Sequence, residues 1–259
     1  MIRKMTVNGA FYPHTKEEII ASFEYFNNLT CKHFSHALYD EEVKGIVVPH
    51  AGYVYSGFSA NLAYKNVKKK PKRVVVVGPS HRVGFHGVSL VEFDSYETPL
   101  GEIETDSEYA SLLKEQFDFV QIPEAHFEHS TEVQFPFIKY YFPKTKVVEL
   151  VYGQDALLEG IFEAILQDAE TLLVISTDLS HFHNQKKANL LDGECVKAFE
   201  NLDLKTLEHG EACGKQGLVA AIKASKKLLL KTKSVDYRTS GDITKDYDRV
   251  VGYYSAIIY

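Results

Sequence analysis

Apolar residues recur along this chain at two alternating periods. Runs at 45–48, 73–77, 146–151 and 171–176 are almost continuous Val, Ile and Leu, the pattern of strands covered on both faces. Segments 88–93, 235–239 and 250–258 read as further strands. Between them, apolar positions return every three or four residues. Thr15-Lys16-Glu17-Glu18 has the form of a capping box, and Ile19, Ile20, Phe23 and Phe26 follow on one helical face. The same spacing predicts helices near 57–67, 107–117, 131–141, 157–167, 185–201 and 214–229. Alternating strands and helices predict an α/β fold of three layers. The closing pair of strands, turning at Gly241-Asp242, makes the central sheet mixed. With no repeat, low-complexity tract or long linker, residues 1–259 read as a single domain.

Composition narrows the function classes. The 259 residues are 45 % hydrophobic and 25 % charged, ordinary for a globular protein, with a net charge of −6. An acidic chain has no global attraction for nucleic acid or anionic lipid. Basic runs at 68–73 and at Lys226-Lys227 read as solvated helix ends. No apolar run approaches the roughly 20 residues that span a bilayer, and the first residues lack a signal-peptide pattern. Three cysteines, at 31, 195 and 213, are too few and too uneven for a disulfide framework, so a reduced, cytoplasmic setting is expected. Cys31 and Cys195 read as small core residues.

Four short segments carry the chemistry. Val48-Pro49-His50-Ala51-Gly52 and Gly78-Pro79-Ser80-His81 each end a buried run in proline and then deliver histidine. Either alone fits a loop histidine on a tight turn. Two unrelated strands doing the same suggest one shared crevice beyond the sheet's carboxyl edge. Asp178-Leu179-Ser180-His181 follows a third buried run, and the carboxylate three residues before the imidazole suggests a partner that fixes its tautomer. His183 reads as surface, or as a substitute for His181. Cys213 precedes a glycine-opened helix beside Lys215, where a lowered thiol pKa is expected. In Glu128-His129-Ser130-Thr131, Ser130 or Thr131 caps the next helix, or His129 lines the crevice; the sequence leaves both open. His14, His33, His36, His86, His126 and His209 read as surface or helix-face residues. Nucleotide-binding glycine loops, C-x-x-C, H-E-x-x-H and G-x-S-x-G are absent.

These motifs together resemble the MEMO family. The resemblance also takes in Gly9-Ala10-Phe11-Tyr12-Pro13, Thr98-Pro99-Leu100-Gly101, Ala212-Cys213-Gly214 and Val250-Val251-Gly252-Tyr253, in order along nearly the whole chain. It implies a fold like the class III extradiol dioxygenases, non-haem iron enzymes that open catechol rings. It also implies AMMECR1-like and radical SAM proteins as partners. Carried onto this sequence, it makes His50, His81 and Cys213 the ligands of one mononuclear transition metal, iron or copper, with zinc as a further choice. His181, oriented by Asp178, becomes the acid/base, and Tyr53 and His129 wall the pocket for a small molecule or peptide. A cysteine where the oxygenases have a harder ligand favours softer ions. The resulting expectation is a redox protein. The alternatives are a zinc-dependent hydrolase and a peptide-binding or metal-sequestering adaptor.

Overall fold

A computed structural model describes residues Met1–Tyr259. Its strands are β1 (Ile2–Arg3), β2 (Gly45–Val48), β3 (Arg73–Pro79), β4 (Val88–Ser89), β5 (Ser95–Tyr96), β6 (Ile103–Glu104), β7 (Lys146–Tyr152), β8 (Thr171–Ser176), β9 (His181–His183), β10 (Thr232–Thr239) and β11 (Val250–Ile258). The main sheet runs in the order β10-β11-β2-β8-β3-β7-β4, with β9 paired to β11. Strands β2, β8, β3 and β7 are parallel, while β10, β11 and β4 run antiparallel to their neighbours. The sheet is mixed, as its pattern predicts.

The continuous valine run is explained by burial on both sides. Val75 and Val77 of β3 face one apolar core, and Val74 and Val76 face the other. Ten helices complete the chain: α1 (Lys16–His33), α2 (Tyr53–Asn66), α3 (Ser107–Gln116), α4 (His129–Glu132), α5 (Phe135–Tyr141), α6 (Glu159–Gln167), α7 (Gln185–Glu200), α8 (Leu204–Glu208), α9 (Lys215–Lys227) and α10 (Gly241–Thr244). Helices α3, α6, α7 and α9 supply the first core, and α1, α2 and α5 supply the second. That arrangement makes three layers. The capping box at Thr15 is formed: its hydroxyl accepts from Glu18 N, and Glu18 reaches back to Thr15 N.

Several expectations need correction. The helix predicted near 131–141 is two pieces, because Pro136 has no N–H to continue a helix through it. The strand predicted at 88–93 shortens to Val88–Ser89, and β1, β5 and β6 form a small separate sheet too short to leave a pattern. Cys31 is exposed on α1, whereas Cys195 is buried as expected. The basic stretch at 68–73 begins with exposed lysines just past the end of α2 and runs into β3. Lys69 and Lys72 pair with Glu42 and Glu170, and Arg73 opens β3 in a half-closed cage of Asp106 and Asp168. No helix is long and apolar enough to cross a membrane.

The topology positions the site. Strand β8 lies between β2 and β3, with Val48 opposite Ser176 and Ile175 opposite Val77. The loop after β8 therefore emerges between the loops that carry His50 and His81.

Candidate metal centre

Three strand ends and one helix start meet at this edge. The ligand atoms of His50, His81 and Cys213 all lie within 4.8 Å of one another. Cys213 Sγ is 3.3 Å from His50 Nε2. Donors each about 2.0–2.3 Å from one ion lie at most about 4.6 Å apart, so small side-chain adjustments bring all three onto one ion.

His50 is held in the state a metal would need. His50 is 1 % exposed, and burial, reinforced by repulsion from His129 and His81, pushes its pKa well below the usual imidazole range. The ring is neutral. Its Nδ1 lies 3.2 Å from Ser176 Oγ. That hydroxyl spends its hydrogen on the Ser130 carbonyl and also accepts from Gln134 Nε2. It can only accept from His50, which fixes the proton on Nδ1 and leaves the lone pair on Nε2.

His81 is oriented by Glu128. Its backbone N donates to Glu128 Oε2 at 2.8 Å, and its Nδ1 lies 3.3 Å from Oε1. The same carboxylate accepts from His129 N and sits 2.6 Å from His129 Nδ1. Burial pushes the Glu128 carboxyl up, but hydrogen bonds from His129 and His81 outweigh it and hold the group well below the usual carboxylate range. An ionised carboxylate behind the distal nitrogen raises the basicity of a ligating imidazole.

Cys213 departs from expectation. Burial, with the nearby Asp178 carboxyl, pushes its thiol up to about 12. Lys215 gives no help, because its ammonium donates to the Glu208 and Gly210 carbonyls. The thiolate is instead prepared by Asp178 N, which donates to Sγ at 3.3 Å. A cation arriving here displaces the thiol proton. Gly214 is required where the chain passes Thr177: an added Cβ would sit 2.6 Å from that side chain, and Gly214 N donates to Thr177 Oγ1 at 2.9 Å. Two imidazoles and one sulfur form a set that suits a transition metal and leaves open positions.

The remaining predicted residues divide. Asp178 and His181 both line a pocket of about 340 Å³ over this edge, with Phe11, Tyr55, His129 and Tyr253. Asp178 does not orient His181. Its Oδ1 accepts from His50 N at 2.7 Å, and His181 Nδ1 is bonded to the Leu179 carbonyl at 2.8 Å. A short turn folds the imidazole onto backbone before it can meet the carboxylate. Tyr53 is also corrected. It is buried at the start of α2, its hydroxyl donates to the Val133 carbonyl, and Tyr55 takes its place in the pocket wall. His129 does line the pocket, with its ring 4.7 Å from Phe11. Neither Ser130 nor Thr131 caps α4; they donate to the Pro79 carbonyl and to Glu149, while the Glu128 side chain forms the cap.

Sequence reasoning passed over Ser176 and Glu211. Glu211 accepts from His181 N and pairs with His183 Nε2 at 2.9 Å. His126 also differs from its surface reading: it is fully buried, with Nδ1 2.8 Å from Glu149 and Nε2 3.0 Å from Ser89.

A family model described as Memo-like protein matches residues 3–257. Relatives described as MEMO1 family proteins, from Methanobrevibacter smithii and Aquifex aeolicus, are each 34 % identical over 99 % of this chain. The match covers 99 % and 98 % of those proteins respectively. A MEMO1 family protein of Thermoplasma volcanium is 32 % identical over 99 % of the chain and 98 % of its own.

Proposed function

Because the chain belongs to the Memo-like family, we propose that it is a mononuclear metal protein whose centre is held by His50, His81 and Cys213. The observation that carries the reading is the convergence of two neutralisable imidazoles and one sulfur within 4.8 Å, from segments far apart in sequence. The favoured ions are iron and copper, in a redox role resembling that of the class III extradiol dioxygenases. When bound, such an ion would supply Lewis acidity and one-electron chemistry beside the pocket.

The chain's own residues then have separate tasks. Glu128 and Ser176 hold the two histidine rings so that one nitrogen of each faces the centre. Asp178 N aims at the sulfur, and its carboxylate pins the His50 loop. His181, with Nδ1 committed to the Leu179 carbonyl, has Nε2 left to take or give a proton to a ligand in the pocket. Phe11 and Tyr55 give the pocket an aromatic wall on one side.

The test is metal analysis of anaerobically purified protein beside the His50→Ala, His81→Ala and Cys213→Ala variants. One ion per chain in the parent, lost in all three variants with the fold intact by circular dichroism, supports the reading. Full retention in any two of them rules it out.

A further inference from the structure

The 340 Å³ pocket does not end at its own rim. A second groove of about 890 Å³ adjoins it, lined by α1 through Ala21, Tyr25 and Leu29 and by α2 through Val54 and Phe58. Ala10, Phe11 and Tyr55 border both. The two spaces differ in chemistry. The pocket displays His129, Asp178 and His181. Most polar groups along the groove are already engaged: Glu18 with Thr15, Arg238 in two bonds to Asp236, Tyr12 with Glu132, and Tyr53 with the Val133 carbonyl, which leaves the Tyr25 and Tyr55 hydroxyls at its wall. What remains is mainly apolar surface, including Val54 at 75 % exposure and the ring of Tyr25.

We propose that the pocket beside the candidate centre and this groove form one binding site for an amphipathic small molecule, with a chelating polar head reaching the centre past His129 and Asp178, which contact His50 and His81, and an apolar tail along α1 and α2. The head assignment rests on the metal reading above; the tail assignment rests on the groove alone. The engaged polar groups favour a tail over an extended peptide. Peptide amides entering the groove would lose water and find few partners, whereas an alkyl or aryl chain has nothing to leave unpaired. Phe11 sits at the junction, with its ring against His129 and its carbonyl accepting from Tyr53 N at 2.7 Å, so the wall between head and tail is fixed to both.

The experiment is titration calorimetry on metal-loaded protein, with alkyl hydroxamates of about two to ten carbons and the matching primary alcohols as probes. Burial of each methylene raises affinity by up to about fourfold, so hydroxamate binding should climb with chain length until the groove is filled. The alcohols should bind more weakly and show the same climb. Val54→Asp and Ala21→Asp should flatten it, and Leu190→Asp, on the exposed side of α7, should leave it intact. Affinity independent of chain length, or an undiminished climb in both groove variants, overturns the tail site. Hydroxamates that bind no better than alcohols overturn the head assignment and the metal reading beneath it, while a surviving climb still supports the groove.

Discussion

Cys213 Sγ lies 3.3 Å from His50 Nε2, although the two residues are 163 positions apart. Nothing local to either segment imposes that distance. It follows from β2 and β8 pairing in parallel and from Cys213 N bonding to the Asp178 carbonyl at 3.2 Å just beyond β8.

Replacing that sulfur separates its chemistry from its packing. Cys213→Ser should keep the melting temperature within a few degrees of the parent. Copper(I) affinity should fall by more than the about 10- to 100-fold that outer-shell losses produce, because no other soft donor is present. Melting curves and competition with a copper(I) chelator, measured on the same protein, check this. Collapse of the fold with unchanged affinity would assign Cys213 to packing.

Glu128→Gln tests the carboxylate behind His81. The amide keeps the side chain's shape but removes the charge that both histidine rings face. Metal affinity should drop by about 10- to 100-fold with stoichiometry still reaching that of the parent at high metal concentration. An unchanged dissociation constant would mean that Glu128 serves only as the cap of α4.

His181 and Asp178 should now differ in a definite order. His181→Ala should retain metal, because His181 is not among the three converging ligands, and any turnover should fall by about 10² to 10⁴. Asp178→Asn should be the variant that loosens metal, since Asp178 braces the His50 loop rather than His181. Metal content of the two proteins after dialysis decides. Loss in His181→Ala with retention in Asp178→Asn would reverse both roles.

Away from the centre, Glu132 anchors the N-terminal segment. Its carboxylate receives Arg3, the backbone N of Thr6 and Val7, and the Tyr12 hydroxyl. Burial pushes its pKa up, but Arg3 and these donors prevail and the folded-state pKa is lowered. A lowered folded pKa means the stabilisation is complete above the ordinary glutamate value of 4.5 and is lost as pH falls through the lower folded value. Glu132→Gln should remove that acid-side dependence from urea midpoints. It should also destabilise by about 3–5 kcal/mol, because Arg3 is left buried and unpaired. Unaltered midpoints from pH 7 downward would contradict this.

How much of this was legible depends on the range of each interaction. The edge occupied by His50, His81 and Asp178 could be read from Pro-His and Ser-Thr-Asp following valine-rich runs, because a buried parallel strand announces its own end. Cys213 stood out as a thiol at a glycine-opened helix start, but only the MEMO-family resemblance joined it to the two histidines, since a helix start says nothing about which strand it faces. The partners of these side chains were not legible. Ser176 looks like the last residue of a strand, yet its hydroxyl sets the tautomer of His50. Asp178 and His181 suggested a pair by spacing, but a two-residue turn directs the imidazole to the Leu179 carbonyl. His126 sits among polar residues in sequence and is buried only because Glu149 of β7 and Ser89 of β4 converge on it from elsewhere. The lowered thiol pKa expected at Cys213 failed for a similar reason: a neighbour in sequence, Lys215, turned to backbone carbonyls, and burial decided the outcome.

The strand order also governs how this protein matures. Strand β2 finds its two neighbours only in residues 171–176 and 250–258, so the sheet cannot close around His50 until both have left the ribosome. During synthesis the two histidines emerge long before the sulfur and the walls that shield it. The proposed donor set is therefore complete only once the tertiary structure is. On the proposed reading metal would enter a finished protein and not template it, so refolding rates should be the same with and without added metal.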